Sequence, residues 1–489
     1  MPSGSSVRSS VSSQASVAAS SASREKFCAG FVAGFVISVP QPNHAGPGWL
    51  PVFCSRPPAD DNRAVSDVAR SRRWGLGTLT LLAALVLLAL SLRSGISSLS
   101  VLLPTVRDEL AFSPTGVSLL TTLPPLCFAI VGLGTGRLVL RYGVHRVTVA
   151  LLAALVVGLI GRALTDTWWV FGIGTVVAMA GAAVGNVVLP PLTKLHFARH
   201  EAGVSAVYGA CLVGGATLAS ALTVPIADAT GGWRIALATW AILPALALVG
   251  WLPTLRAPEP RTAALDPSSA PTSTAPTAHT LTLGQIARTP LGWAFIVCFG
   301  VQSAQAYVQF GWWGLMLTDL GADAAHAGVL LGVITAVGIP VTLSLPVLIR
   351  LTRDSAALPV IFSVSTVAGW LGVLLAPLAL GGVLWAALLG FGGGAFTWTL
   401  AMLARRSRSP EGASQLSALT QGVGYFIAAA ATFATGLLHD ATGGWRVGIV
   451  MMLGLAALIG VAGAAIARGG TVEEAVAAHL DQREGESTP

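Results

Sequence analysis

The segment Ala229-Thr-Gly-Gly-Trp-Arg234 recurs unchanged as Ala441-Thr-Gly-Gly-Trp-Arg446, and each copy stands directly before a long apolar run. Each of these runs is the last in a set of six, counted from residue 74. A Gly-Gly turn beside a Trp can arise twice independently, but two copies at matching positions favour a duplicated unit. The repeat predicts two equivalent halves arranged in parallel, related by an axis along the membrane normal.

The composition places these runs in a membrane. Of the 489 residues, 54% are hydrophobic and 10% are charged, whereas soluble domains carry about 25% charged residues. Each of the twelve runs can cross a bilayer, which takes about 20 apolar residues. Because lipid offers no partner to free backbone groups, and the runs lack the alternation of a barrel, we predict helices. The predicted fold class is an all-α membrane protein with twelve transmembrane helices in two six-helix halves.

The remaining segments are not predicted to span the membrane. The first opens with a Ser/Ala-rich tract and is predicted to be a disordered tail. The longest internal connection is rich in Pro, Ser and Thr, which is typical of a flexible linker. The predicted organisation is an N-terminal tail (1–73), an N-terminal half (74–253), a linker (254–289), a C-terminal half (290–468) and a C-terminal tail (469–489).

Arginine and lysine are divided unequally between the two sets of connections. One set, which includes both tails and the linker, holds nearly all of them, while the other holds only Arg107, Arg234 and Arg446. By the positive-inside rule both termini are predicted to be cytoplasmic, in a multi-pass protein of the inner membrane. The net charge of +7 is therefore a topology signal, and no nucleic-acid partner is expected.

Residue types that bind metals or cofactors are scattered. The five cysteines form no CxxC pair, and the histidines lie mostly in loops or at span ends, so no metal site or cofactor is expected. An embedded enzyme would need convergent catalytic groups on longer loops. We therefore expect a non-enzymatic monomer whose partners are a small-molecule substrate and the lipid bilayer. A sensor that binds a solute without transporting it stays open as an alternative.

The loop after the second run carries Gly136-Arg-Leu-Val-Leu140-Arg141-Tyr-Gly-Val-His-Arg146. It resembles the Gly-x-Leu-x-Asp-Arg-x-Gly-Arg-Arg loop of the major facilitator superfamily, with Leu140 at the acidic position. Together with the six-plus-six plan, the resemblance covers residues 74–467. It implies alternating access through a central cavity surrounded by helices 1, 4, 7 and 10.

Within the superfamily, the chain is similar to the branch of cyanate transporters and 2-nitroimidazole exporters. The similarity rests on four stretches: Leu92-Arg93-Ser-Gly-Ile-Ser, Asn186-Val-Val-Leu-Pro-Pro-Leu-Thr-Lys194, Phe299-Gly-Val-Gln302-Ser303 with Tyr307, and Leu416-Ser417 followed by Gln421-Gly-Val-Gly-Tyr425. It implies transport of a cyanate-like anion or a small nitro-heterocycle. A multidrug-type exporter of small dipolar compounds stays open as an alternative.

Arg93 is the first candidate for a substrate-binding residue. It lies inside the first run, where an arginine costs about 2.5–3.5 kcal/mol on insertion scales, and no Asp or Glu lies in the middle of any run. A cation without a fixed counter-ion predicts a site for an anionic or strongly dipolar solute. The alternative is that Arg93 hydrogen-bonds backbone carbonyls or a broken helix near Gly95.

The seventh run carries polar side chains at helical spacing: Gln302, Gln305 and Gln309, with Tyr307 beside them. Such a stripe is expected either to line a cavity, where amides recognise acceptor groups, or to bond neighbouring helices. We favour cavity lining, most of all for Gln302.

Further candidates stand in other runs. Asn186, Trp398 and Gln421 are predicted to bind substrate, although packing or interfacial anchoring would also explain them. Arg162 is predicted to act as an outer gate. The alternatives for Arg162 are snorkelling to the interface or an ion pair with Asp166, one helical turn away.

Overall fold

The computed structural model describes residues 76–256, 281–353 and 355–487, and these ranges are helical without any strand. Twelve helices within them are long and apolar enough to cross a membrane, which confirms the predicted number. The predicted tail 1–73 and the middle of the linker lie outside the described residues. The spanning helices are α1 Leu76–Glu109, α2 Pro114–Tyr142, α3 Val144–Ala163, α4 Trp168–Phe197, α5 Glu201–Thr230, α6 in segments Trp233–Thr239 and Ile242–Trp251, α7 Pro290–Asp319, α8 Ala324–Thr352, α9 Ala357–Leu375, α10 in segments Val383–Gly392 and Gly394–Arg405, α11 Pro410–Thr442, and α12 Arg446–Arg468.

Three helix starts share one local sequence, a Ser or Thr followed by Pro and, two residues later, Gly. At α2, α7 and α11 the side chains of Ser113, Thr289 and Ser409 accept a hydrogen bond from the backbone N–H of that glycine. The hydroxyl accepts from an N–H of the first turn that has no partner within the helix. Proline is tolerated at the first helical position because a backbone N–H there would form no hydrogen bond within the helix. The sequence thus fixes where these helices begin.

The repeated segment builds the same tie in each half. Trp233 donates its indole N–H to the Glu109 carboxylate at the end of α1, with 2.7 Å between Nε1 and Oε2. Trp445 donates in the same way to Asp319 at the end of α7, with 2.9 Å between Nε1 and Oδ2. In both copies a glycine in the left-handed region ends the preceding helix. The sequence repeat is therefore also a structural repeat.

Helix packing follows the same duplication. Helix α1 packs on α5 as α7 packs on α11, and α3 packs on α4 as α9 packs on the first segment of α10. The halves meet where α2 contacts α11, α5 contacts α8, and α1 contacts α7. We call the end of the bundle with the α2–α3, α4–α5, α8–α9 and α10–α11 connections the arginine-rich face, and the other end the opposite face.

Two helices outside the spans pack on the C-terminal half. A linker helix, Leu283–Ile286, begins with a capping box between Thr282 and Gln285 and buries Ile286. A C-terminal helix, Val472–Ser487, follows α12, and its Glu473 carboxylate accepts from the Ser409 backbone N–H and hydroxyl at 3.1 and 3.0 Å. The end of the predicted linker and the C-terminal tail are therefore helical.

Candidate functional site

Arg93 lies half-buried on α1, where the two halves meet. Its guanidinium carbon is 5.7 Å from the ring centre of Phe310 on α7, a cation–π contact. Tyr307 and Tyr425 lie within electrostatic range of its charge. Arg93 forms no hydrogen bond or ion pair with any residue in the described ranges. The backbone-bonding alternative is therefore wrong for this side chain, whose donors stay available.

Three aromatic rings from both halves surround this region: Phe128 on α2, Tyr307 on α7 and Tyr425 on α11. Ring centres are 6.0 Å apart for Phe128 and Tyr307, 5.4 Å for Phe128 and Tyr425, and 6.1 Å for the two tyrosines. We call these residues the aromatic triad, and the triad with Arg93 the central site. Sequence reasoning missed Phe128, because a phenylalanine in an apolar run carries no signal that separates it from packing.

The central site combines three kinds of interaction. Arg93 offers a delocalised positive charge with several N–H donors. The two phenol hydroxyls form no hydrogen bond with the described residues and can donate to a solute. Ring faces and edges of the triad can contact a planar group. The arrangement suits a small planar solute that is negatively charged or carries strong acceptor groups.

The three glutamines of α7 do not act alike. Gln305 is 1% exposed and joins three helices: its amide nitrogen donates to the Met452 carbonyl on α12 at 2.9 Å, and its amide oxygen accepts from the Trp370 indole on α9 at 2.5 Å. Cavity lining is therefore wrong for Gln305, which bonds neighbouring helices. Gln302 and Gln309 are also buried, and they donate to no residue in the described part of the chain. Their cavity-lining role stays a prediction.

The other predicted binding residues form no hydrogen bond or ring contact with the triad in the described ranges. Trp398 is fully buried in the packed core of the C-terminal half, as the packing alternative expects, and its role in binding stays a prediction. Asn186 and Gln421 are half-buried, and their amide nitrogens donate within their own helices, to the Ala182 carbonyl at 3.0 Å and the Ser417 hydroxyl at 2.7 Å. A role in binding stays a prediction for these two.

Arg162 differs from both alternatives that the sequence offered. Its side chain is completely buried, and Nη2 donates to the Gly95 carbonyl of α1 at 2.9 Å. Asp166 instead pairs with Arg234, at 2.6 Å between Nη2 and Oδ1. Snorkelling and the pair with Asp166 are therefore wrong. Nε and Nη1 of Arg162 have no hydrogen-bond partner among the described residues, and the gate role stays a prediction.

Helices α5 and α8, one from each half, separate toward the arginine-rich face. The distance from a Cβ atom added to each glycine of α8 to the nearest atom of α5 measures how closely the two helices approach. This distance is 2.5 Å at Gly328 (to the Ser220 oxygen), 3.6 Å at Gly332 (to the Thr217 oxygen) and 4.0 Å at Gly338 (to a Val213 methyl), in order from the opposite face inward. At the opposite face, α7 and α1 also touch through Gly314 and the Ser100 carbonyl. The contact between α5 and α8 is thus tight at the opposite face and loosens toward the arginine-rich face.

No group of three His, Cys, Asp or Glu side chains that could hold a metal ion occurs in the described ranges. The chemistry of the central site accordingly rests on one guanidinium, two phenols and aromatic rings.

Comparison with known proteins gives consistent matches. The sequence profile of the Major Facilitator Superfamily matches residues 79–432. The 2-nitroimidazole transporter of Escherichia coli (strain K12) is 31% identical over 390 residues, covering 80% of this chain and 95% of that protein. The cyanate transport protein CynX of the same strain is 28% identical over 366 residues, covering 75% and 91%. The crystal structure of the nucleoside transporter NupG is similar in fold, with a TM-score of 0.62 at 11% identity, covering 79% of this chain and 99% of that one.

Proposed function

The chain belongs to the major facilitator superfamily, and on that premise we propose that it transports a small, planar, anionic or strongly dipolar solute through the central site. The observation that carries the proposal is Arg93, a half-buried guanidinium inside a spanning helix that contacts the Phe310 ring and has no hydrogen-bond or ion-pair partner among the described residues. Because such a charge is costly in a membrane, a residue kept there without a counter-ion is expected to have a functional role.

The aromatic triad favours a nitro-heterocycle as the substrate. The nitro oxygens of such a molecule would accept from Arg93 and the two phenols, while its ring contacts the triad. The similarity to a 2-nitroimidazole transporter supports this choice. A cyanate-like anion is the second candidate, supported by the free charge of Arg93 and the similarity to a cyanate transport protein. It would use the charge but little of the ring surface.

The distribution of arginine and lysine between the two faces indicates the side of the membrane to which the central site opens. If the arginine-rich face is cytoplasmic, as the positive-inside rule predicts, the loosened α5–α8 seam corresponds to a cytoplasm-facing state in the inner membrane. Transport then requires the opposite face to open while the arginine-rich face closes. In this cycle Gln302, Gln309, Asn186 and Gln421 are proposed to line the path, and Arg162 to act near the outer gate.

The test is thermal unfolding of the purified protein with cyanate or 2-nitroimidazole added. A ligand at 100 times its Kd stabilises the folded state by about 2.7 kcal/mol. Arg93→Gln is expected to lose the response to both solutes. Phe128→Leu, which removes one ring of the triad, is expected to lose mainly the response to 2-nitroimidazole. Arg288→Gln, at an exposed position near the end of the linker, is the charge control.

Flux into proteoliposomes completes the test for whichever solute stabilises the protein. Unchanged responses in a folded Arg93→Gln variant would refute the central site. Stabilisation without flux would instead favour the sensor over the transporter.

A further inference from the structure

A groove lies outside the central site, between α2, α3 and α4 of the N-terminal half, with a volume of about 440 Å³. Small side chains, among them Ala150, Ala154 and Ala180, leave this space open. Its floor is closed because α3 and α4 touch at Gly181, where a Cβ would lie 2.8 Å from the Leu151 carbonyl oxygen. The volume is within the range of small-molecule sites, about 300–1,000 Å³. No residue of the central site lines it.

One end of this groove is strongly basic. Arg146 and Tyr142 line it at the arginine-rich face, and Arg141 lies over the Tyr142 ring, 5.2 Å from its centre. Arg137 is exposed one turn earlier on α2. No Asp or Glu occurs anywhere between residues 110 and 165, so neither α2, α3 nor their connection supplies a negative charge. The groove therefore joins an apolar wall to a positive mouth.

We propose that this groove binds an anionic phospholipid of the surrounding bilayer, with one acyl chain along the alanine wall and the phosphate at Arg141 and Arg146. The two parts of the groove match the two parts of this ligand. A soluble anion would match the basic mouth but leave the alanine wall without a partner, and a zwitterionic lipid would be attracted less strongly by the basic mouth. Basic pockets between helices at the cytoplasmic side of a membrane are known to hold anionic headgroups.

Native mass spectrometry tests this proposal directly. The purified protein is released from micelles that contain equal amounts of phosphatidylglycerol and phosphatidylcholine with identical acyl chains. The wild type is expected to retain phosphatidylglycerol preferentially. The double variant Arg141→Gln/Arg146→Gln is expected to lose this preference by about fivefold per arginine. Ala150→Trp, which fills the groove, is expected to lower the retention of both lipids.

Matched controls separate this site from general effects of charge or bulk. Arg350→Gln/Arg353→Gln removes two charges from the α8–α9 connection, which is the equivalent connection of the other half. Val157→Trp introduces the same indole at a 65% exposed position of α3 outside the groove. Thermal unfolding confirms that each variant is folded. Equal retention of both lipids by the wild type would overturn the proposal, as would control variants that lose phosphatidylglycerol as strongly as the groove variants.

Discussion

Replacing Gln305 tests whether the amide stripe of α7 is structural or functional. Gln305→Leu keeps the side chain close to its volume and removes both hydrogen bonds to neighbouring helices. The Met452 carbonyl keeps its bond within α12, but the Trp370 indole loses the acceptor at 2.5 Å. Interhelical hydrogen bonds in membranes contribute about 0.6 kcal/mol on average and at most about 1.7. We therefore expect a loss of roughly 1–3 kcal/mol in the free energy of unfolding.

The measurement is a double-mutant cycle by denaturant unfolding in detergent, with Gln305→Leu, Trp370→Phe and the double variant. The coupling energy is expected to lie between about 0.6 and 1.7 kcal/mol. Gln309→Leu is the control: this amide is similarly buried at 6% exposure, but it forms no hydrogen bond with described residues, so its loss is expected to stay within about 0.5 kcal/mol. A neutral Gln305→Leu that no longer responds to solute would refute the structural role.

Four further outcomes are expected. Gly328→Ala should open the opposite face, because its Cβ would lie 2.5 Å from the Ser220 oxygen. Distances between spin labels across that face should therefore lengthen. The control Gly209→Ala, whose Cβ would meet nothing within 4 Å, should leave these distances unchanged. Trp233→Phe and Trp445→Phe should each cost about 1–2 kcal/mol in unfolding experiments, since each removes one hydrogen bond to a carboxylate. Burial raises the pKa of the Glu473 carboxyl, but hydrogen bonds from Arg408 and Ser409 outweigh it and lower the pKa overall. The stabilisation that Glu473 gives the C-terminal helix is therefore full above the unfolded pKa of about 4.3 and is lost as pH falls through the lower folded value; a spin label at Ala477 should become mobile there, and at neutral pH in Glu473→Gln. Arg162→Gln keeps a donor for Gly95 but removes the charge, so thermal stability should be retained while stabilisation by anions weakens; a collapse of stability would show that the charge itself is structural.

The fold could be predicted from the sequence because the bilayer restricts it so strongly. A run of about 20 apolar residues has one stable conformation in lipid, and the repeated Trp233 and Trp445 segments reveal the duplication. The central site was predictable only in part. Arg93 and Tyr307 stand out because charges and phenols are rare in spans, whereas Phe128 is indistinguishable from any packed ring. The role of Gln305 depends on Trp370, 65 residues away in the chain, and no local pattern indicates that pairing.

The repeat also explains why a fully buried arginine is tolerated. Gly95 of α1 and Gln305 of α7 occupy equivalent positions, each the same number of residues before the carboxylate at the end of its helix. Gly95 accepts a hydrogen bond from Arg162 on α3, and Gln305 accepts one from Trp370 on α9, so in both halves the donor is on the third helix. In the C-terminal half the neutral indole N–H of Trp370 makes this hydrogen bond. In the N-terminal half the same tie brings a positive charge, and two of its nitrogens have no partner among the described residues. Packing alone does not need this charge. It lies against the helix that carries Arg93, so both cations raise the potential along α1, which would attract the negatively polarised acceptor groups of the solutes proposed above.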